Sequence, residues 1–139
     1  MKKLLFVVAL ILLIVALAAC GGESSPSGGD EGAAAGPGDA GAGKKIFEQT
    51  LIGTQAGCIT CHSLEPGVTM VGPSLATIGT DAGSRVAGMS AEEYIRQSIL
   101  EPDAYIVEGF SAGVMPIALA DELTDQQVND LVVYLLTLK

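Results

Sequence analysis

Three side chains that bind metals or haem lie close together in the stretch "CITCH". Cys58 and Cys61 form a Cys-x-x-Cys pair, and His62, the only histidine of the chain, follows directly. Such a pair can bind zinc, carry out thiol–disulfide exchange or hold a haem covalently. The other residues of the chain decide between these three kinds of chemistry.

Zinc binding and thiol–disulfide exchange both need features that the sequence does not supply. A structural zinc site usually takes four Cys or His ligands as two pairs, and no second pair follows the leader, so carboxylates would have to complete the site. Thiol–disulfide enzymes carry their cysteine pair in a βαβ setting, and no strand-like alternation precedes Cys58. Both alternatives are therefore disfavoured.

Covalent haem attachment uses every residue of the motif. Each thiol of Cys58 and Cys61 would add to one haem vinyl group, and the imidazole of His62 would then bind the iron. The sequence therefore predicts one covalently bound haem c as the cofactor, with His62 as the first axial ligand.

The second axial ligand is predicted by elimination. Without another histidine, the candidates are Met70, Met89 and Met115. Met70 follows His62 too closely to reach the opposite haem face, and Met89 stands before a helix cap, where it would pack on the helix. Met115 precedes Pro116, which favours extended backbone and lets the thioether project. Met115 is the predicted iron ligand, and the alternative is a methionine that fills a gap in the core.

Helical patterns dominate the segments that must position these residues. Ser90 with Glu93, and Thr124 with Gln127, have the spacing of capping boxes, and apolar residues recur with helical period after Thr124. The loops between the helices are long for so small a domain and are expected to wrap around a bound group. The predicted fold class is all-α, with three to five helices and long loops around one haem.

The N-terminal 42 residues are predicted to lie outside this domain. Residues 1–19 join two lysines to a continuous apolar run, which is typical of a secretory signal. The stretch "LAACG", residues 17–21, resembles a bacterial lipobox, which implies that Cys20 becomes lipidated and anchors the exported chain to the outer face of the cytoplasmic membrane. The alternative is an uncleaved anchor or an ordinary signal cut near Ala19. Residues 20–42 are rich in Gly, Ala and Ser and predict a flexible linker, and residues 43–139 form the predicted domain.

The charge of the chain points to a class of partner. The formal net charge is −9, and removal of the leader would also remove Lys2 and Lys3. Such acidity disfavours nucleic acid and anionic lipid, and it favours a redox protein with a basic docking surface. The alternative is that acidity serves only solubility.

Residues 43–139 resemble a class I, mitochondrial-type cytochrome c domain. "GKKIF", which starts at Gly43, is similar to the first helix of that family, and "LVVYLL" is similar to its last helix, with Tyr134 packing on the first. "GPSL" resembles the loop whose proline carbonyl accepts a hydrogen bond from the proximal histidine, and this implies that role for Pro73 toward His62. "VMP" resembles the loop that carries the methionine ligand, here Met115.

The stretch "EPDAYIVEGFSAGVMP" is also similar to small haem c subunits of bacterial respiratory complexes, including alternative complex III, and to haem domains fused to oxidase subunit II. The tryptophan that contacts a haem propionate in some members is absent, so Arg85 and Tyr105 are candidate propionate or pocket contacts. The expected pocket walls are apolar or aromatic: Leu75, Ile78, Ile95, Ile99, Tyr105, Phe110 and Leu135.

An iron with two protein ligands favours one-electron transfer over substrate chemistry. The predicted function is a membrane-tethered electron carrier, not an enzyme, between a quinol-oxidising complex or other donor and a terminal oxidase or reaction centre. One alternative is a fixed haem c subunit of a respiratory or photosynthetic membrane complex. Another is a haem-based sensor or peroxidase, in which Met115 leaves the iron.

Overall fold

The computed structural model describes residues 35–139. The predicted leader, Cys20 and the linker up to residue 34 lie outside the described residues. No helix within residues 35–139 has the length and apolar character needed to cross a membrane.

Helices dominate the described residues, which confirms the predicted all-α fold class. The α-helices are α1 (Ala40–Phe47), α2 (Cys58–Cys61), α3 (Ile78–Asp81), α4 (Ala91–Leu100) and α5 (Asp125–Leu136), and two 3₁₀ helices span Ala82–Ser84 and Ile117–Glu122. A two-residue antiparallel hairpin, β1 (Leu51–Ile52) and β2 (Gln55–Ala56), pairs Leu51 with Ala56.

The two longest helices within residues 35–139 begin at the capping boxes that the sequence predicts. The Ser90 side chain accepts a hydrogen bond from the backbone of Glu93 at the start of α4, and Thr124 does the same for Gln127 at the start of α5. In both cases the side chain three residues on accepts from the cap backbone, so two otherwise unpaired N–H groups are satisfied at each helix start.

The first helix begins at Ala40 rather than at the predicted domain boundary, Gly43. Asp39 accounts for the difference, because its side chain accepts a hydrogen bond from Ala42 N at 2.7 Å and so caps the helix. Residues 36–39 also contact α5. The ordered domain therefore includes part of the segment that composition assigned to the linker.

The core forms where α1 crosses α5. Phe47, Leu131 and Val132 are the largest fully buried side chains, and the rings of Phe47 and Tyr134 lie 5.7 Å apart between centroids. A Cβ atom on Gly43 would collide with the Asp130 carbonyl. The two helices cross closely at this point because residue 43 has no side chain.

Candidate haem site

The β-hairpin leads directly into the short helix α2, which carries the two cysteines. Gly57 precedes α2, and its N–H donates to Thr50 O at 2.9 Å. A Cβ on Gly57 would collide with the Gln49 carbonyl. The backbone can therefore pack closely on the preceding turn because residue 57 has no side chain. Cys58 and Cys61 are half-buried free thiols one helical turn apart.

His62 ends this helix and is oriented by the loop that follows. Its Nδ1 lies 2.9 Å from the Pro73 carbonyl oxygen. A carbonyl oxygen can only accept, so Nδ1 carries the proton and Nε2 keeps a free lone pair. Gly72 N donates to Cys61 O at 2.8 Å, which holds this loop against the cysteine helix.

The His62 ring lies directly on the backbone of Gly72. A Cβ added there would stand 2.5 Å from His62 Cε1 and 2.8 Å from Nδ1, which is closer than real Cβ contacts. Gly72 was missed in the sequence analysis, although it precedes Pro73 in the "GPSL" stretch that drew attention to the proline.

Burial sets the protonation of the site. Desolvation lowers the pKa of His62, and the hydrogen bond to Pro73 only partly opposes this; the imidazole is therefore neutral, the form that binds metals. Burial also raises the pKa of the free Cys58 thiol to about 11, against a smaller opposing effect of a backbone hydrogen bond.

A deep apolar cleft opens beside these residues. Its volume, open mouth included, is about 1240 Å³, and among the described residues that line it only Asp103 and His62 are acidic or basic. The seven side chains expected to form the pocket walls all line it, and so does Met115, which is half-buried. The cleft also includes lining residues that the sequence analysis did not name, among them Val71, Ser98, Ile106, Val107 and Val114.

The loop that carries Met115 is closed by a hydrogen bond across its width. Asp103 Oδ1 accepts from Gly113 N at 2.8 Å, and Gly109 and Gly113 have positive φ angles of 88° and 75°, which glycine adopts at low cost. The sequence analysis did not predict that Asp103 closes this loop. The only signal in the sequence was an Asp directly after Pro102 with a Gly ten residues later.

Six of the predicted site residues come together around this cleft: Cys58, Cys61, His62, Pro73, Tyr105 and Met115. Tyr105 contacts Tyr94 edge to face, with ring centroids 5.6 Å apart. Arg85 is absent from the cleft lining, and its role as a propionate or pocket contact stays a prediction. Its guanidinium lies 3.9 Å from the Asp81 carboxylate, because side chains four residues apart along a helical turn face each other.

These features fit a covalently bound haem. Both thiols and the unprotonated His62 nitrogen border one apolar cleft, and Met115 borders the same cleft. The two thiols are also free to form thioethers. Among residues 35–139, no group of three or more His, Cys, Asp or Glu side chains is arranged to bind a metal ion.

Comparison with known proteins gives one result. The family model for cytochrome c matches residues 40–139, the whole ordered domain from the first residue of α1. No curated protein matches the chain significantly.

Proposed function

The chain belongs to the cytochrome c family and is an electron-transfer protein with covalent haem c, and on that premise we propose that it is a membrane-tethered carrier of the class I type whose iron is held by His62 and Met115. One observation carries the proposed ligand pair. Of the methionines in the described part of the chain, Met115 alone lines the cleft that His62 lines. Met70 is 47% exposed and lies outside the lining, as does Met89.

The haem supplies one-electron transfer when bound. The residues of the chain set its surroundings: Pro73 keeps the proton on His62 Nδ1, so that Nε2 is the atom free to bind iron. The apolar walls exclude water, and a thioether ligand in a dry pocket favours the ferrous state and a high reduction potential. Asp103 holds the Met115 loop through Gly113.

The ligand pair is tested by replacing Met115 with Ala in the protein matured with haem. The weak near-infrared absorption that marks iron–sulfur ligation in the oxidised form should vanish, and the potential should fall because a soft ligand is lost. Met70→Ala is the matched control and should keep both properties. Retention of the band in Met115→Ala would refute the assignment, and rapid CO binding by the reduced wild type would favour the sensor alternative.

The tether is proposed from the leader and the lipobox-like "LAACG" stretch, which contains Cys20. Diacylation supplies the two chains that stable anchoring needs. Intact mass should show lipid on the mature protein, and Cys20→Ser should move it from the membrane fraction to the soluble fraction. An unchanged membrane fraction in Cys20→Ser would refute lipid anchoring through this residue.

The proposed partner carries a basic docking surface, and the charge distribution supports this. Residues 97–125, which include the Met115 loop, contain six carboxylates and no Lys or Arg, and residues 49–80, around the haem motif, contain only Glu65 as a charged side chain. The cations Lys44, Arg85 and Arg96 all pair with acidic neighbours on their own helical turns. A basic partner would therefore meet an uncompensated negative surface around the cleft.

Ionic strength tests this docking. Electron transfer to a basic redox protein should slow steeply as salt rises, whereas transfer to a small neutral oxidant should not. Replacing Glu101 and Glu108 with Gln should reduce the salt dependence, and Glu92→Gln on α4 is the matched control. A rate with the basic protein that does not respond to salt would contradict the proposal. Co-purification with a membrane complex after salt washing would favour the fixed-subunit alternative.

A further inference from the structure

The chain that enters α1 is bound along the surface of α5. This segment, Gly36–Asp39, is here called the strap. Gly36 N donates to Gln126 Oε1 at 2.7 Å, Asn129 Nδ2 donates to Gly36 O at 2.9 Å, and Gln126 Nε2 donates to Pro37 O at 3.2 Å. The composition of the strap, rich in Gly and Pro, is typical of a flexible segment. The strap is nevertheless held by side chains of a helix some ninety residues away.

The end of the strap is bound by a buried carboxylate. Asp130 is 7% exposed, and its Oδ1 accepts from Asp39 N at 2.8 Å and from Gln126 Nε2 at 2.9 Å. On the neighbouring helix, Arg96 Nη2 donates to Asn129 Oδ1 at 2.6 Å. The strap partners are therefore themselves fixed by hydrogen bonds, and the contact joins the strap to α4 as well as to α5.

Gly38 allows the strap to lie directly on the helix. A Cβ at this residue would collide with the Asn129 carbonyl and would stand 2.7 Å from Val133 Cγ2. Since the nearest obstacle is backbone, it cannot move aside cheaply, and a side chain at residue 38 would lift the strap from α5.

The strap and the cleft lie on opposite faces of α5. The strap contacts Gln126, Asn129, Asp130 and Val133, whereas the α5 residues that line the cleft are Leu131 and Leu135. At 3.6 residues per turn, the mean directions of the two sets differ by about 170°. The N-terminal segment therefore enters the domain behind the helix that backs the cleft.

We propose that the strap fixes the point at which the N-terminal tether leaves the domain, on the side away from the cleft, so that the anchored protein favours orientations in which its cleft faces away from the membrane. This inference rests on the proposed tethering through Cys20. The binding of the strap to α5 is measurable whether or not the chain carries lipid.

Backbone amide exchange in the mature haem-loaded protein tests the docking. The N–H groups of Gly36 and Asp39 should be protected in both the lipidated form and Cys20→Ser. Replacing Gln126 and Asn129 together with Ala should speed exchange at Gly36 about tenfold or more. The matched control, Gln97→Ala on α4, removes an amide side chain that does not touch the strap and should leave the exchange unchanged. Unprotected Gly36 in the wild type would overturn the proposal.

Quenching by nitroxide-labelled lipids in vesicles tests the orientation. A fluorophore on Ala35→Cys, directly before the strap, should be quenched relative to vesicles without nitroxide, and more strongly than one on Ile117→Cys, past the Met115 loop. In the Gln126 and Asn129 double variant the difference should shrink. Equal quenching of both labels in the wild-type background would overturn the orientation. Absence of quenching at both would refute the tether itself, while protected exchange at Gly36 would still support the docked strap.

Discussion

At the level of single residues, the orientation of His62 depends on a glycine, Gly72, which leaves room for the imidazole ring because it has no side chain. Gly72 lies under the imidazole ring, and the next residue, Pro73, offers its carbonyl to Nδ1. The same loop is tied to the cysteine helix through Cys61 O. The ring is therefore held from two sides, and these contacts select the tautomer whose Nε2 can bind iron.

Gly72→Ala should disturb this arrangement without removing any polar group. The new Cβ would meet the His62 ring at 2.5 Å, so the ring or the loop must move, at a cost of about 1–3 kcal/mol in unfolding free energy, as is typical of overpacking. Chemical denaturation measures the cost, and the visible spectrum reports the change at the histidine. Gly83→Ala is the control, because its Cβ would meet only ordinary contacts from 3.6 Å. Equal stability of the two variants would contradict the explanation.

The sequence located the residues whose chemistry is distinctive. Cys58, Cys61 and His62 stand out because few residue types form thioethers with haem or bind its iron, and the cytochrome c family match supports the haem that this motif predicts. Met115 stays a prediction, made because few methionines competed for one role. Arg85 is a less specific prediction because a guanidinium has many possible partners, and the carboxylate of Asp81 lies only one helical turn away. Where a contact is made through the backbone, as at Gly72, the only sign of it in the sequence is the glycine itself.

At the level of elements, the two capping boxes have the same geometry but differ in one property. The box of α4 uses the carboxylate of Glu93, and that of α5 uses the neutral amide of Gln127. Hydrogen bonds from the Ser90 hydroxyl and backbone lower the pKa of Glu93 in the folded protein. The start of α4 is therefore coupled to pH, whereas the start of α5 is not coupled through this contact.

Truncating the two caps should reveal this difference. The Glu93 pKa is lower in the folded state, so its contribution to stability is complete above the unfolded pKa, the ordinary glutamate value of 4.5, and is lost as pH falls through the folded pKa. Ser90→Ala should therefore destabilise the protein most near neutral pH and less in acid. Thr124→Ala should cost about 1 kcal/mol throughout, the usual loss for an N-cap. Denaturation across the acid range measures both, and parallel profiles for the two variants would refute the coupling.

The crossing of α1 and α5 gives a second test at this scale. Gly43→Ala would place a Cβ against the Asp130 carbonyl, which forces the helices apart and should cost about 1–3 kcal/mol of unfolding free energy despite the better helix propensity of Ala. The control is Gly41→Ala in the same helix, whose Cβ would meet only the Asp39 side chain, at 3.1 Å. If Gly43→Ala proved as stable as the control, the close crossing would not limit the packing of these helices.

The elements that the sequence predicted are those with several agreeing local signals. Caps and helical periodicity mark α4 and α5 in this way. The hairpin of β1 and β2 has two residues in each strand, too few to show an alternating pattern. The strap was not predicted because its own composition is Gly-rich and gives no signal of order. It is held by Gln126, Asn129 and Asp130, which lie far along the chain.

At the level of the whole molecule, a small domain is built around a cleft that its own side chains do not fill. The buried core cluster lies mainly between α1, α4 and α5, while His62 and Met115 both line the cleft. Val71, Ile106 and Val114 line the cleft and are at least one-third exposed in the protein chain alone. A domain of this size buries too little surface to leave such walls exposed without a marked loss of stability.

Preventing covalent haem attachment should therefore weaken the whole domain, and its loops most. With Cys58 and Cys61 both replaced by Ser, the walls of the cleft stay exposed to water, and we expect a lower, broader thermal transition than in the haem-loaded protein. Amide exchange should be fastest in the loop between α4 and α5 and slowest where α1 crosses α5, because that contact involves Gly43, Phe47 and Tyr134 and needs no bound group. Replacing the exposed Ser84 with Ala in the haem-loaded protein controls for small surface changes. A sharp transition at the holo midpoint in the double variant would show that the chain folds independently of its haem.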